Sequence, residues 1–215
     1  MNSYSEKVAK ILLDIKAVSF NAKKPFRYSS GLLSPVYTDC RLLMSHPKER
    51  TLIRNLYIQA ILPKGKFNLI AGTATAGIPH AAWIADKLKL PMIYVRTKAK
   101  DHGKGNQIEG KINKKQKVAV IEDLISTGES SAETVRAIRK KGGLSEYIFS
   151  IITYGMNKSK ENFKANGIKL IYLTDFATVV RVAEQIGYIK TKDKDIILQW
   201  AKDPASWGKK MGFEK

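Results

Sequence analysis

The chain has 215 residues, 44% of them apolar, with 38 lysines and arginines against 19 aspartates and glutamates and a formal net charge of +19. That size and apolar content suit one α/β domain with a modest appendage, and the sole cysteine, Cys40, excludes an intrachain disulfide and fits a reducing compartment. The basic excess attracts anions broadly, whether phosphorylated small molecules, nucleic acid or acidic surfaces, and does not choose among them.

Within Ser5 to Val18, apolar Val8, Ile11, Leu12 and Ile15 recur at helical spacing and predict a packing helix. Glu6, Lys7, Lys10 and Asp14 interrupt it and argue against a signal-peptide core. In Pro25 to Arg41, Tyr28 and Val36-Tyr37 are strand-like around a turn of Ser29, Ser30, Gly31, Ser34 and Pro35, which predicts a hairpin. Pro47 opens a helix running through Ile53, Leu56, Tyr57 and Ala60 to Leu62, stopped by Pro63 and Gly65.

Phe67 to Ala85 carries no formal charge over 19 residues, close to the length of a membrane span. Gly72, Gly77 and Pro79 break it into strand, turn and new helix, so no membrane segment is expected. The strand is Phe67 to Ala71, and the small-residue loop Gly72 to Gly77 suits close packing or anion binding alike. After a strand at Pro91 to Arg96, the segment Thr97 to Gln116 is glycine-containing, highly charged and nearly free of apolar periodicity. Such a stretch reads as a lid or binding loop, or as a solvated excursion.

Val118 to Ile121 reads as a strand buried on both faces, with Glu122 and Asp123 standing where the run ends. Ser126, Thr127, Gly128, Ser130 and Ser131 follow, then Ala132, Val135 and Ile138 at helical spacing, with Gly142 as the stop. A loop feeding a helix N-terminus aims unpaired N–H groups and partial positive charge at one spot, which suits a phosphate. Two adjacent carboxylates suit neighbouring sugar hydroxyls instead, so together the stretch fits a phosphorylated ribose. Hydroxyls in such a loop also serve as plain helix caps. The acidic pair favours the ligand reading, because it stands where open α/β sheets place ligands.

Tyr147 to Thr153 predicts another buried strand, Ser159 to Ala165 a short helix, and Ile168 to Leu173 an edge-like strand. Asp175 can cap a helix through Val179, Val182 and Ile186, and a last helix near Lys194 to Ala201 ends before Pro204. The alternation predicts an α/β fold, a doubly wound parallel sheet flanked by helices, as a single unit over residues 1–215.

The run VIEDLISTGESS, Val120 to Ser131, resembles the phosphoribosyl pyrophosphate (PRPP) signature of the type I phosphoribosyltransferases, and EDLISTG is the wording of their orotate branch. Pro25 to Arg41 resembles that branch's N-terminal hood, here residues 1–45, which covers the base. Gly72 to Gly77 matches the family's pyrophosphate loop. Val95 to Gly110 resembles its mobile catalytic loop, which closes over the neighbouring subunit's site.

The resemblance implies attack of orotate N1 on C1 of the PRPP ribose, with Mg²⁺ carried mainly by PRPP, in a cytoplasmic homodimer serving pyrimidine synthesis. It assigns Arg96, Lys100 and His102 to catalysis and to PRPP. Glu122, Asp123, Leu124, Ile125, Ser126, Thr127, Gly128, Glu129 and Ser130 become PRPP contacts, and Ser126 also an orotate contact. Glu129 is expected to point to solvent, since an inward carboxylate would repel phosphate.

Several positions depart from the family pattern. Ser29 stands where many relatives carry a lysine and Ala76 where some do, Thr97 replaces another with Lys98 beside it, and Thr153-Tyr154-Gly155 stands where many orotate enzymes have an R-Q-E run whose arginine helps hold orotate, an arginine that other family branches also lack. The competing readings are a purine phosphoribosyltransferase and a PRPP-sensing nucleic-acid-binding regulator on the same fold. The regulator would need an added helix-turn-helix, for which the roughly twenty residues before Lys23 are too few, so no nucleic-acid partner is expected.

Overall fold

The computed structural model describes residues 4–28, 31–96 and 107–214. Helix α1 (Tyr4–Asp14) buries Val8, Ala9, Leu12 and Leu13 and stops earlier than its apolar spacing predicts. Lys16 turns the chain at φ 60°, and Val18 opens a strand, β1 (Val18–Phe20), rather than closing the helix. Next come β2 (Phe26–Arg27), β3 (Leu33–Ser34) and β4 (Val36–Thr38). The predicted hairpin is two nested antiparallel ribbons, β2 with β3 inside and β1 with β4 outside. Ser34 is therefore a strand residue and not part of the turn; its hydroxyl donates to the Val36 carbonyl at 2.8 Å and accepts from the Val36 N–H at 3.1 Å. Ser29 and Ser30 lie outside the described residues.

The rest alternates strand and helix as predicted. In order follow α2 (Pro47–Ile61), β5 (Leu69–Thr73), α3 (Gly77–Leu88), β6 (Met92–Val95), β7 (Ile108–Glu109), β8 (Lys117–Ile125) and α4 (Glu129–Lys140). Then come β9 (Leu144–Thr153), α5 (Asn157–Ala165), β10 (Lys169–Asp175), α6 (Phe176–Gln185), α7 (Thr191–Lys202) and α8 (Pro204–Lys210).

Six of the strands form one sheet in the order β10-β9-β8-β5-β6-β7, parallel except for β7. Side chains alternate across it. Ile70, Ala119, Ile121 and Phe149 face a core shared with α1, α2, α3 and α6, whereas Leu69, Ala71, Val118, Val120 and Ile148 face a second core under α4 and α5. Both faces are covered, which is why β8 is apolar without alternation.

Besides β1, two further elements were not legible. β7 pairs antiparallel with β6, Val95 opposite Ile108, and the Arg96 N–H donates to the Gln107 carbonyl at 2.9 Å. The long loop predicted from Thr97 to Gln116 is thus closed off at Gln107, and its remainder, residues 97–106, lies outside the described residues. α8 is the second: Asp203 accepts from the Ser206 N–H at 3.3 Å and Pro204 fills the first turn, so the segment that ends α7 starts another helix. No helix among the described residues is long and apolar enough to cross a membrane.

Gly77 opens α3 hard against β8. A Cβ there would lie 2.5 Å from the Ile121 carbonyl oxygen and 3.4 Å from the Glu122 Cα, with backbone on the other side of the contact. Gly77→Ala should therefore lower unfolding free energy by about 1–3 kcal/mol, the usual range for overpacking. Urea denaturation measures this, and an unchanged midpoint would show that α3 can shift without cost.

Candidate functional site

β5 and β8 are neighbours in the sheet, yet α3 leaves β5 for one face and α4 leaves β8 for the other. A crevice opens between the carboxyl ends of two strands whose helices diverge in this way. The two loops singled out from sequence, residues 74–76 and 126–128, both lie at this end of the sheet.

The acidic pair is not past the strand, as its sequence position suggested. β9 runs alongside as far as Thr153 and supplies partners, so β8 continues to Ile125, with Glu122 opposite Ser150 and Leu124 opposite Ile152. Glu122 is only 7% exposed. Its carboxyl accepts from the Ser131 hydroxyl at 2.8 Å and from the Asp123 N–H at 3.2 Å, and the buried Tyr57 hydroxyl donates to its backbone carbonyl at 2.6 Å. Burial, then the neighbouring Asp123 charge, pushes the Glu122 carboxyl well above the usual range. Burial also raises Asp123, but the positive charge of Arg41 acts against this. Asp123 is the less buried of the pair, so of the two Glu122 is the one whose proton is favoured.

Arg41 is itself fixed by Asp39, which accepts its Nε at 2.6 Å and Nη2 at 3.0 Å and is held below the ordinary aspartate range by that contact. The end of the hood is thereby set beside Asp123. Tyr57 and Arg41 had no assigned role in the sequence reading. Tyr57 looked like one more apolar helix position, and the only signal for Arg41 was the Asp39-x-Arg41 spacing.

At the loop, Gly128 adopts φ 73° and a Cβ there would meet the Phe163 ring at 2.6 Å, so glycine is required twice over. No side chain caps the N-terminus of α4, and among the described residues the hydroxyls of Ser126, Thr127 and Ser130 have no hydrogen-bond partner. Ser131 differs from the expectation of a phosphate donor: its hydroxyl is buried and engaged by Glu122. Glu129 is turned away from the loop, as expected, by Arg136 at 2.7 Å and by the Asn162 amide at 2.9 Å. Leu124 and Ile125 pack into opposite cores, which leaves their backbone groups as the means of contact, and the Ile125 carbonyl accepts from the Tyr154 N–H at 2.9 Å.

At the other loop, Thr73 ends β5 buried with an unpartnered hydroxyl, and the N-terminus of α3 also lacks a side-chain cap. The sheet end therefore presents two helix N-termini whose first N–H groups are not taken by their own caps. Arg96 leaves β6, one strand away, with its guanidinium 43% exposed and 4.0 Å from Glu109. Thr97, Lys98, Lys100 and His102 lie outside the described residues.

At the end of β9, Thr153 and Tyr154 are buried, and the Tyr154 ring meets Phe176 at 5.4 Å and Trp200 at 5.2 Å, both edge-on. A cavity of about 600 Å³ opens beside this segment, with Lys160, Lys164, Tyr172 and Asp175 in its wall. Another, of about 610 Å³, lies at the opposite pole among Lys64, Lys66, Phe67, Lys117 and Tyr147. The C-termini of α2 and α4 reach that pole, so its lysines face the negative ends of helix dipoles.

The raised Glu122 pKa has a stability consequence with a definite sign. As pH rises past the ordinary glutamate value of 4.5, the unfolded chain releases this proton before the folded one does, so the residue increasingly disfavours folding until its folded pKa is passed. Glu122→Gln keeps an acceptor for Ser131 and removes the titration. Its stability relative to the parent protein should improve as pH is raised from 4.5 toward neutrality, read from urea unfolding at several pH values; a difference independent of pH would refute a protonated Glu122.

Comparison with known proteins agrees with this architecture. The phosphoribosyl transferase domain family matches residues 43–183. The orotate phosphoribosyltransferase of Coxiella burnetii is 48% identical over 208 residues, covering 96% of this chain and 99% of its own. Among solved structures, the orotate phosphoribosyltransferase from Aeropyrum pernix superposes with a TM-score of 0.73 at 28% identity, over 85% of this chain and 99% of that one. The UMP synthase of Leishmania donovani gives 0.76 at 27% identity over 92% of this chain, which spans 43% of that longer protein. With a family match over most of its length and near-half identity across almost all of it, the chain belongs to the phosphoribosyltransferases, in their orotate phosphoribosyltransferase branch.

Proposed function

We propose that the crevice between the ends of β5 and β8 binds PRPP and transfers its 5-phosphoribosyl group to N1 of orotate, giving orotidine 5′-monophosphate and pyrophosphate. The observation that carries this reading is one juxtaposition: the adjacent carboxyls of Glu122, buried, and Asp123, less buried, one loop away from an uncapped helix N-terminus with three unpartnered hydroxyls. Asp123 accepts hydrogen bonds from the ribose hydroxyls, and Glu122 fixes its position. The amides and hydroxyls of Ser126 to Ser130 take the 5′-phosphate, and the backbone of the 73–77 turn lies against the diphosphate.

Bond breaking that runs ahead of bond making leaves positive charge on the sugar and negative charge on the departing diphosphate. Arg96, Lys100 and His102 stabilise that negative charge, and Lys100 or His102 hands it a proton. Ser126 and the backbone near Tyr37 face the base, under a hood that belongs to the same single unit. Mg²⁺ is the expected ion. Mg²⁺ held largely by phosphate oxygens needs few protein ligands, and the carboxyl of Asp123 at the crevice is one that could reach it. When bound, it would neutralise diphosphate charge. A homodimer in which the 95–110 loop serves the neighbouring site, and a cytoplasmic setting, complete the proposal.

Pyrophosphate release with PRPP and Mg²⁺ should depend on orotate and not on uracil, adenine or hypoxanthine; release with a purine instead would overturn the base assignment. Lys100→Ala should lower kcat by roughly 10²- to 10⁴-fold with the unfolding midpoint unchanged, and undiminished turnover would remove the loop from the chemistry. Asp123→Asn should weaken PRPP binding by roughly 10- to 100-fold, the worth of a charged hydrogen bond. An unaltered dissociation constant by calorimetry would sink the ribose role.

A further inference from the structure

The tail of the chain, α7 and α8, lies beyond residues 43–183 of the family match, yet it packs onto the hood rather than only closing the core. Trp200 is fully buried there, and its indole Nε1–H donates to the Leu33 carbonyl in β3 at 3.0 Å. The same ring meets Tyr28 at 6.2 Å, Tyr154 at 5.2 Å and Phe176 at 5.9 Å, all edge-on. Tyr28 in turn donates its hydroxyl to the Val36 carbonyl at 2.7 Å and lies 6.5 Å from the exposed Tyr37 ring. Ser34, next to Leu33, also bonds Val36, and β4 then leads directly into Asp39 and Arg41 beside Asp123.

One indole therefore touches three parts that have no sequence proximity: the inner ribbon of the hood, the strand end at Tyr154, and the helix that follows β10. An aromatic ring in edge contact with three others is fixed in all directions, and its single N–H selects one carbonyl. We propose that Trp200 is a positioning residue for the base half of the site, setting the height and tilt of β3 and β4 over the strand ends through Leu33, Tyr28 and Tyr154. The inference rests on the orotate reading given above. It assigns the C-terminal segment a task in base recognition; the PRPP half is held by β5, β8, α3 and α4, and the hood reaches it only through Arg41, whose guanidinium Asp39 fixes independently of Trp200.

Trp200→Phe keeps an aromatic ring and removes the donor to Leu33. Trp207→Phe is the matched control, because Trp207 is equally buried and its Nε1–H donates at 3.0 Å to Ile196 within the tail itself, not to the hood. The expected result is an orotate KM raised about tenfold in Trp200→Phe, the worth of one buried hydrogen bond, with the PRPP KM unchanged. Trp207→Phe should lower the unfolding midpoint comparably and leave both KM values alone.

If Trp200→Phe shifts neither KM, or shifts both together, the indole does not position the base half. If Trp207→Phe raises the orotate KM as much, general loosening of the tail explains the effect and the proposal falls. An unsubstituted protein with no orotate turnover would instead refute the underlying reading, so the two failures are told apart.

Discussion

The structure depends on the divergence of two chain paths at one seam. β5 and β8 share a ladder, and immediately beyond it the chain must leave one strand for the upper face and the other for the lower. That is possible only if the backbone of the departing α3 can lie against the end of β8, and Gly77 is the point where it does, with no room for a side chain. The close approach has two effects at once. It opens the crevice and it removes water from the β8 end, which turns Glu122 from an ordinary carboxylate into a buried acid.

Once Glu122 is buried, its surroundings follow from the need to satisfy it. Ser131 and the Asp123 amide supply its hydrogen bonds, and Tyr57 secures the adjoining carbonyl from the opposite core. Two carboxyls this close cannot both ionise cheaply, so the charge collects on the more exposed Asp123. The outcome is a single negative charge, rigidly placed, within a protein of net charge +19. Such a charge repels a phosphate and accepts from a hydroxyl, while the uncapped helix ends on either side do the reverse. On the proposed reading, sugar and phosphate are sorted by position before any side chain moves.

What the sequence disclosed, and what it hid, follow from how local each determinant is. Strand β8, the Gly128 turn and the Asp175 cap of α6 depend on near neighbours, and the apolar run, the glycine and the Asx signal announced them. Strand β7 is two residues in a charged segment, and only pairing with β6 makes it a strand. Val18 completes a helical apolar pattern, yet the chain turns at Lys16 and delivers it to β4. Residue numbers alone suggested Ser131 as one more hydroxyl for a ligand; the fold places it facing Glu122, nine residues back in the chain. The family resemblance supplied Arg96, Lys100 and His102, whose roles no periodicity could give.

Thr153-Tyr154-Gly155 offers no guanidinium at the end of β9. A guanidinium on a carboxylate is a charge-assisted contact, worth about twice a neutral hydrogen bond and tolerant of small displacements because charge acts at a distance. Neutral donors from the hood backbone fall off steeply with angle and separation. On the proposed reading, a chain that lacks the guanidinium must hold its hood more exactly in place to recognise the same anionic base. The aromatic cluster of Tyr28, Tyr154, Phe176 and Trp200 is the means available: apolar, interlocked and directed onto β3 by one N–H bond. On that reading the brace supplies geometric precision where a guanidinium would supply electrostatic reach.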